Sequence, residues 1–350
     1  MAVQRLAPTG FHFFLEDGSM AMAKAPARLP LAVTLSLAAV ATSAWVAPAA
    51  QAQLVTPAQV RAEINRRGAE GVAMGQTGSL LLLESELGVA GQRQGELRNG
   101  GRGGLWARGG GSRYKIDGDD AGKFDNDVEV GAIGGDYGWD LSTGKLFLGA
   151  YVGLGHADQD DNDIMKGKSR SRYLGTYLTY VDNGGFYVDA VSKVGRIKDE
   201  VEFDLPLNLG TYKDDVKHTT YSGSVELGYH LQLEDQWFVE PQLQAIYTRS
   251  SQTSVQGRAG VRAGRDFQLS GGTTLRPYAT ASYLHQFSND DTIKFGSSTY
   301  DVELPGDRWQ LGGGMQVSSG AHRGFADLRY GRGDIVKREL TFNVGYSYRF

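Results

Sequence analysis

From Gly103 to the final Phe350 the chain reads as a series of segments in which apolar and polar side chains alternate. A period of two is the signature of a strand with two different faces. Twelve such segments can be drawn: 103–116, 127–140, 145–157, 168–181, 185–198, 216–232, 236–249, 254–268, 273–288, 306–318, 322–331 and 337–350. The links between them constrain the fold more than the strands do. "LSTG", "DNGG", "LEDQ", "LSGG" and "SSGAH" are short and turn-like. They join strands two to three, four to five, six to seven, eight to nine and ten to eleven. The other links, such as "DGDDAGKFDN", "ADQDDNDIMKG", "KDEVEFDLPLNLGTYKDD" and "SNDDTIKFGSSTYDVELP", are mostly longer and acidic. In an up-and-down barrel, this alternation gathers the short turns at one rim and the long loops at the other, as in outer-membrane barrels. A β-sandwich also alternates at period two, so the links, not the period, favour the barrel.

The last strand shows what such a barrel would touch. Leu340, Phe342, Val344, Tyr346, Tyr348 and Phe350 form one face; Thr341, Asn343, Gly345, Ser347 and Arg349 form the other. An aromatic end strand left in water invites aggregation. In lipid it is at home, provided that the backbone is fully paired, which requires strand twelve to close on strand one. Composition permits this: hydrophobic content of 41% is too low for a helical membrane protein, yet ordinary where only alternate residues meet lipid. The formal charge of −4 and the lack of a basic stripe give no sign of a nucleic-acid partner. The absence of cysteine suits a chain that crosses an oxidising compartment unfolded.

The beginning of the chain has a different texture. Lys24 and Arg28 precede the apolar run Leu29–Val46, and Ala50 and Ala52 stand at the −3 and −1 positions of a small-residue cleavage site. Residues 1–52 are therefore expected to be a signal peptide cut after Ala52. Residues 1–19 would lie upstream of a true start at Met20 or Met22. Residues 53–78 are expected to be a vestigial passenger or linker, and 79–102 a helix with its junction to the barrel. Thr56 and Pro57 suit an N-cap and first helical position. Gly68, Gly71, Gly75 and Gly78 are expected to weaken the middle by about 1 kcal/mol each against alanine. A firmer helix is expected over 79–98. It is polar on most sides and needs a polar cavity or a partner.

"QRQGELRNGGRGGLWARGGGSRY" resembles the junction between lumenal helix and first strand in autotransporter translocator domains of the pertactin-like group, through Gly95–Asn99 and Trp106–Gly109. "GGFYVDAVSKVGR", "WFVEPQLQAIY", "VQGRAGVRAGRDF", "LRPYATASYLHQF" and the terminal "GYSYRF" resemble later strands in order. The resemblance covers about residues 80–350. It implies an all-β fold: a 12-stranded antiparallel transmembrane β-barrel with an N-terminal α-helix in the lumen. It also implies export or display of an N-terminal segment. The implied partners are outer-membrane lipid and lipopolysaccharide, periplasmic chaperones, and the barrel-assembly machinery. That machinery would read Phe342, Val344, Tyr346, Tyr348 and Phe350 as an assembly signal on a monomeric barrel. Family passengers are usually long β-helices, and no such repeat occurs here. Members that cut their own helix often do so beside an asparagine, frequently a paired one; this region offers Asn65 and Asn99, both single.

The polar faces supply candidate lumenal residues. Glu226, Glu240, Arg258, Arg262 and Arg276 are expected to face inward, and Glu96 and Arg98 are natural partners from the helix. They either grip the helix or simply line a polar lumen. "ADQDDND" has carboxylates for a divalent cation but lacks a glycine at the sixth loop position, so a solvated acidic loop is the expectation. No P-loop, paired-cysteine zinc motif or G-x-S-x-G occurs. His230 and His285 show no triad. Neither a cofactor, a metal nor an enzymatic activity is expected. A stand-alone pore and an adhesive surface barrel are the alternative readings.

Overall fold

The computed structural model describes residues 13–16, 19–22, 56–91, 101–119, 121–161, 165–288, 291–295 and 298–350. The signal-cleavage residues Ala50 and Ala52, and the junction residues Glu96, Arg98 and Asn99, lie outside them. A short antiparallel pair, Phe13–Glu16 with Ser19–Met22, stands apart from the main sheet.

One helix, α1 (Pro57–Gly91), is followed by twelve barrel strands among the described residues. They are β1 (Gly103–Asp117), β2 (Lys123–Leu141), β3 (Gly144–Asp160), β4 (Met165–Asp182), β5 (Phe186–Asp204) and β6 (Thr211–Tyr229). After them come β7 (Trp237–Arg249), β8 (Thr253–Arg265), β9 (Thr273–Gln286), β10 (Arg308–Ser319), β11 (His322–Gly333) and β12 (Val336–Arg349). Each pairs antiparallel with its neighbours in sequence, and β12 closes on β1. The seam is continuous to its end: Phe350 N donates to Gly103 O at 3.0 Å, and Gly103 N donates to Phe350 O at 3.1 Å. Gly104 leaves room beneath the Arg349 side chain, which crosses the seam to pair with Asp136 on β2.

The outer surface is apolar. Leu340, Phe342, Val344, Tyr346, Tyr348 and Phe350 are all exposed, while Thr341, Asn343, Ser347 and Arg349 are buried inward. The same parity holds on β6, where Tyr221, Val225, Leu227 and Tyr229 face out and Ser222, Ser224 and Glu226 face in. Apolar side chains left exposed over a whole sheet surface have lipid as their solvent. Trp139, Phe186, Tyr229, Trp237 and Phe267 ring the short-turn rim, and Tyr221, Tyr247, Tyr283, Trp309 and Tyr330 mark the other. These are the interfacial girdles expected of amphipathic rings.

Two long links turn out to be structured. The stretch read as the loop "KDEVEFDLPLNLGTYKDD" is mostly strand: β5 runs on to Asp204, a single 3-10 turn follows at Pro206–Asn208, and β6 already begins at Thr211. The extension is charged on its outer face, with Lys198, Glu200, Glu202 and Asp204, while its inner residues Val201, Phe203 and Tyr212 pack toward the helix, the reverse of the apolar-out alternation of the lipid-spanning part. Within "SNDDTIKFGSSTYDVELP", Asp291–Phe295 pairs with Ser298–Val302 as a hairpin of its own.

Leu243 lies at the middle of β7 and is 61% exposed. We expect Leu243→Arg to destabilise the vesicle-reconstituted barrel by about 2–4 kcal/mol in denaturant titration, the cost of a cation near the bilayer midplane. A loss well below 1 kcal/mol would mean that this face does not meet hydrocarbon.

Candidate functional site: the helix-filled lumen

The helix enters the barrel at the long-loop rim and descends to the rim that holds the seam. Thr56 caps it: Gln59 N donates to Thr56 Oγ1 at 3.3 Å, and Thr56 N donates to Gln59 Oε1 at 2.8 Å. This reciprocal pair is a capping box. Near the entry, Arg67 donates to Asp204 O at 2.7 Å, at the tip of the β5–β6 hairpin. Farther down, Ser79 meets β4 and β5, Glu86 meets the middle of β5, and Val89 O lies 3.5 Å from Arg108 Nη1 on β1. A helix of 35 residues is about 52 Å long, more than the roughly 30 Å of a bilayer core.

The helix begins at Pro57, as the Thr56–Pro57 pair suggested, and runs unbroken through the glycines that were expected to weaken its middle. Those glycines are used for close approach. Gly68, Gly71, Gly75 and Gly78 share one buried face. A Cβ on Gly71 would come within 2.9 Å of Val201 on β5, and one on Gly78 would come within 2.9 Å of the Gln159 side chain on β3. Propensity lost within the helix is recovered in contact with the wall.

The lumen is also less polar than expected. Ala69, Ala73, Met74, Leu81, Leu82, Leu87 and Val89 pack with wall residues Trp106, Tyr114, Val128, Tyr151, Tyr173, Tyr177 and Val191. The aromatic rings lie over wall glycines. A Cβ at Gly149, Gly153 or Gly175 would fall within 2.3 Å of Tyr177, Tyr173 or Tyr151 respectively. Trp106 Nε1 donates to Tyr177 OH at 2.8 Å, and Tyr177 OH donates to Asp136 at 2.6 Å.

Into this half-apolar surface the wall and helix set a few charged contacts. Lys193 on β5 pairs with Glu86, both side chains fully buried, and its Nζ also donates to Leu83 O at 3.2 Å. The same Nζ lies 4.9 Å from the centre of the Tyr173 ring. On the opposite wall Arg308 reaches Glu84, with Glu339 on its other side at 3.2 Å. Ser79 Oγ donates to Asp199 at 2.6 Å and meets Ser169 Oγ at 3.0 Å. Ser85 and Tyr114 hydroxyls are 3.1 Å apart, and Thr77 donates to Glu303 O at 2.8 Å.

The charged residues singled out from sequence do face the lumen, and their resolved pairings run along the wall. Arg258 donates to Glu226 at 2.7 Å, and Arg262 donates to Glu240 at 2.6 Å. His230 Nδ1 is 3.0 Å from Glu240 and Tyr187 OH donates to Glu226 at 2.7 Å. Arg258 and Arg262 border a cavity of about 160 Å³ that separates them from Glu84, Ser85 and Gly88 of the helix. Arg276 holds Asp266 through two bonds, at 2.5 and 2.6 Å. Among the described residues, the helix is held by Lys193, Arg308, Asp199 and Tyr114. A signal for two of these contacts was present: Glu84 and Glu86 interrupt the run "LLLLESEL", and Lys193 sits mid-strand on the inward parity of "VDAVSKVGR".

Two further clusters have no evident chemical role. His218 Nε2 lies 2.6 Å from Ser250 Oγ, but Asp199 is 3.7 Å from Nδ1, too far for a hydrogen bond, and gives its other oxygen to Ser79. His285 lies outside the barrel, 2.7 Å from Asp307. Among the described residues, no group of three His, Cys, Asp or Glu side chains is placed to hold a metal. In "ADQDDND", Gln159 turns inward to Asn126 at 3.1 Å, and Asp161 accepts from Met165 N at 2.9 Å.

A closed twelve-stranded barrel threaded from its long-loop rim by a helix is the arrangement of an autotransporter translocator. The family model described as the autotransporter beta-domain matches residues 105–254 and 249–331. The chain belongs to the autotransporter β-domain family. It is 31% identical over 287 residues to the pertactin autotransporter of Bordetella bronchiseptica, covering 76% of this chain and 31% of that protein. It is 30% identical over 295 residues to the BrkA autotransporter of Bordetella pertussis, covering 78% of this chain and 28% of that protein. The chain thus spans less than a third of the length of these relatives. The crystal structure of the BrkA β domain superposes with a TM-score of 0.62 at 28% identity, over 71% of this chain and 100% of that one. The transport unit of AIDA-I from Escherichia coli shares the fold, with a TM-score of 0.60 at 17% identity over 82% of this chain and 99% of that one. As a member of this family the barrel belongs to the Gram-negative outer membrane.

Removing one partner of a buried pair leaves an uncompensated charge, at a cost of about 3–5 kcal/mol. Lys193→Met is therefore expected to lower the temperature of the heat-dependent gel-mobility shift and to open the helix to protease. Joint replacement of Lys193 and Glu86 by methionine should restore both. Arg262→Gln, which removes a pairing within the wall, should leave the helix protected.

Proposed function

We propose that this translocator barrel carries the segment preceding Thr56 to the cell surface and keeps α1 in its lumen as the tether. The direction of the helix carries the proposal. Arg67, about three turns in from its N-terminus, lies at the long-loop rim beside Asp204, and its last described turns lie farther down the barrel near Arg108. Chain that enters the helix from the N-terminal side therefore emerges on the outward side. In the boundaries read from sequence, residues 53–78 form a remnant passenger or linker. That residues 57–78 are helical and continuous with α1 supports counting them with the tether. On this reading the barrel is a transport device and not an enzyme. It works as a monomer, is delivered by periplasmic chaperones, and is inserted by the barrel-assembly machinery through its aromatic last strand. A tag placed after Gln53 is expected to be labelled on intact cells by a membrane-impermeant reagent. A tag that is labelled only after the outer membrane is opened would refute display.

A second reading, a pore for small solutes, is favoured by the cavity between the helix and the Arg258–Arg262 wall. Planar-bilayer conductance separates the two. A tethered translocator is expected to conduct weakly as it stands and strongly once residues 57–91 are deleted; a dedicated pore would conduct comparably in both forms.

A further inference from the structure

The outer wall of β3–β6 stacks cations directly opposite one another across several strands. The strand registers define rows across these four strands. The row Val152–Leu174–Val194–Tyr221 is apolar throughout and ends the lipid-facing belt. The next row outward is Leu154–Arg172–Arg196–Thr219, and the one beyond it is His156–Arg170–Lys198–Lys217. Only in the following row, Asp158–Lys168–Glu200–Asp215, do carboxylates appear. Arg172 thus stands directly opposite Arg196, Arg170 opposite Lys198, and Lys198 opposite Lys217.

Side chains directly opposite in an antiparallel pair are about 5 Å apart, and like charges there repel. The ladder between β1 and β2 pairs opposite charges, although Lys115 also faces Arg338 across the seam and Asp125 faces Asp160 on β3. Arg113 faces Asp127, Lys115 faces Asp125, and Asp117 faces Lys123. The carboxylates of the outermost row relieve the upper basic row: Glu200 lies 2.7 Å from Lys198 and 3.6 Å from Arg170. They do not relieve the lower one. Arg172 and Arg196 are exposed and have no ion-pair partner among the described residues. They stand one row outward of Tyr221, a member of the aromatic girdle.

A pair of cations at the top of an apolar belt on the outward-facing rim needs an anion that is itself anchored in lipid. We propose that Arg172 and Arg196, flanked by Arg170, Lys198 and Lys217, bind the phosphorylated headgroup of an outer-leaflet glycolipid, with its acyl chains along Leu154, Leu174 and Val194. Guanidinium forks match phosphate oxygens bidentately, and a phosphate between two such forks turns a repulsive contact into an attractive one. The proposal rests on the outer-membrane placement of the barrel, but not on what the barrel exports.

The test is lipid binding to the detergent-purified full chain, read by native mass spectrometry. The probes are lipid A, its dephosphorylated form, and inorganic phosphate as a competitor. The protein is expected to retain lipid A, to bind the dephosphorylated form at least about tenfold more weakly, and to resist displacement by inorganic phosphate. Arg172→Gln with Arg196→Gln should abolish the preference. Arg196→Glu alone should also abolish it while relieving the repulsion with Arg172, so a heat-dependent mobility shift no weaker than that of the unaltered protein shows that folding is intact. Arg113→Gln with Lys115→Gln removes two cations from a paired region and should change nothing. Equal loss in that control, unchanged binding in the Arg172 and Arg196 variants, or ready displacement by inorganic phosphate would each overturn the site. None of these outcomes bears on surface display of a tag after Gln53, so the two readings fail separately.

Discussion

Hydrocarbon cannot solvate a backbone N–H or C=O, and the architecture follows from that constraint. A sheet in lipid can have no edge, so β12 must find β1. The seam shows how the sequence meets this demand. Small residues on β1, including Gly103 and Gly104, leave room for the Phe350 ring and the Arg349 side chain. The backbone bonds then continue to the last residue of the chain. Arg349 ties the closing strand to Asp136, two strands away. The aromatic C-terminal strand that would be a hazard in water is, in lipid, an ordinary member of a closed wall.

Closure creates an interior, and the interior sets the second problem. A barrel of this size has to be filled, and the helix fills it unevenly. It leans on β1–β5, where tyrosine and tryptophan rings lie over wall glycines and meet a leucine- and alanine-rich helix face. On the other side a gap remains, bordered by the self-paired Glu226–Arg258 and Glu240–Arg262. Buried ion pairs such as Lys193–Glu86 add little net stability over an apolar replacement, because both charges are desolvated. What they supply is register: a helix shifted by one turn would leave both charges unpaired. That property suits a segment that must stop at one position.

Most of the wall was legible in the residues themselves. Parity along Leu340–Phe350 and Tyr221–Leu233 matched the exposed face, because lipid outside and side chains inside impose a strict period of two. The reading failed where that contrast is absent. Beyond the bilayer the outer face of β5 and β6 is charged and only the inner face, with Val201, Phe203 and Tyr212, is apolar, so Lys198–Asp204 and Thr211–Asp215 looked like loop although they are strand. The continuity of the helix through its glycines was underestimated for a related reason. Glycine spacing over Gly68–Gly78 signals weakness when a helix is judged alone, and close packing when a wall stands against it.

The strand number, the membrane-facing parity and the rim asymmetry were determined by the sequence alone, because each depends on local alternation and link length. Which charges meet was decided only by the tertiary structure. Lys193 and Glu86 are 107 residues apart and Arg308 and Glu84 are 224 apart, so no local pattern relates them. Their meeting depends on how far the helix slides down the barrel and how it is rotated there, and both are set by the fit of the whole helix surface to the wall.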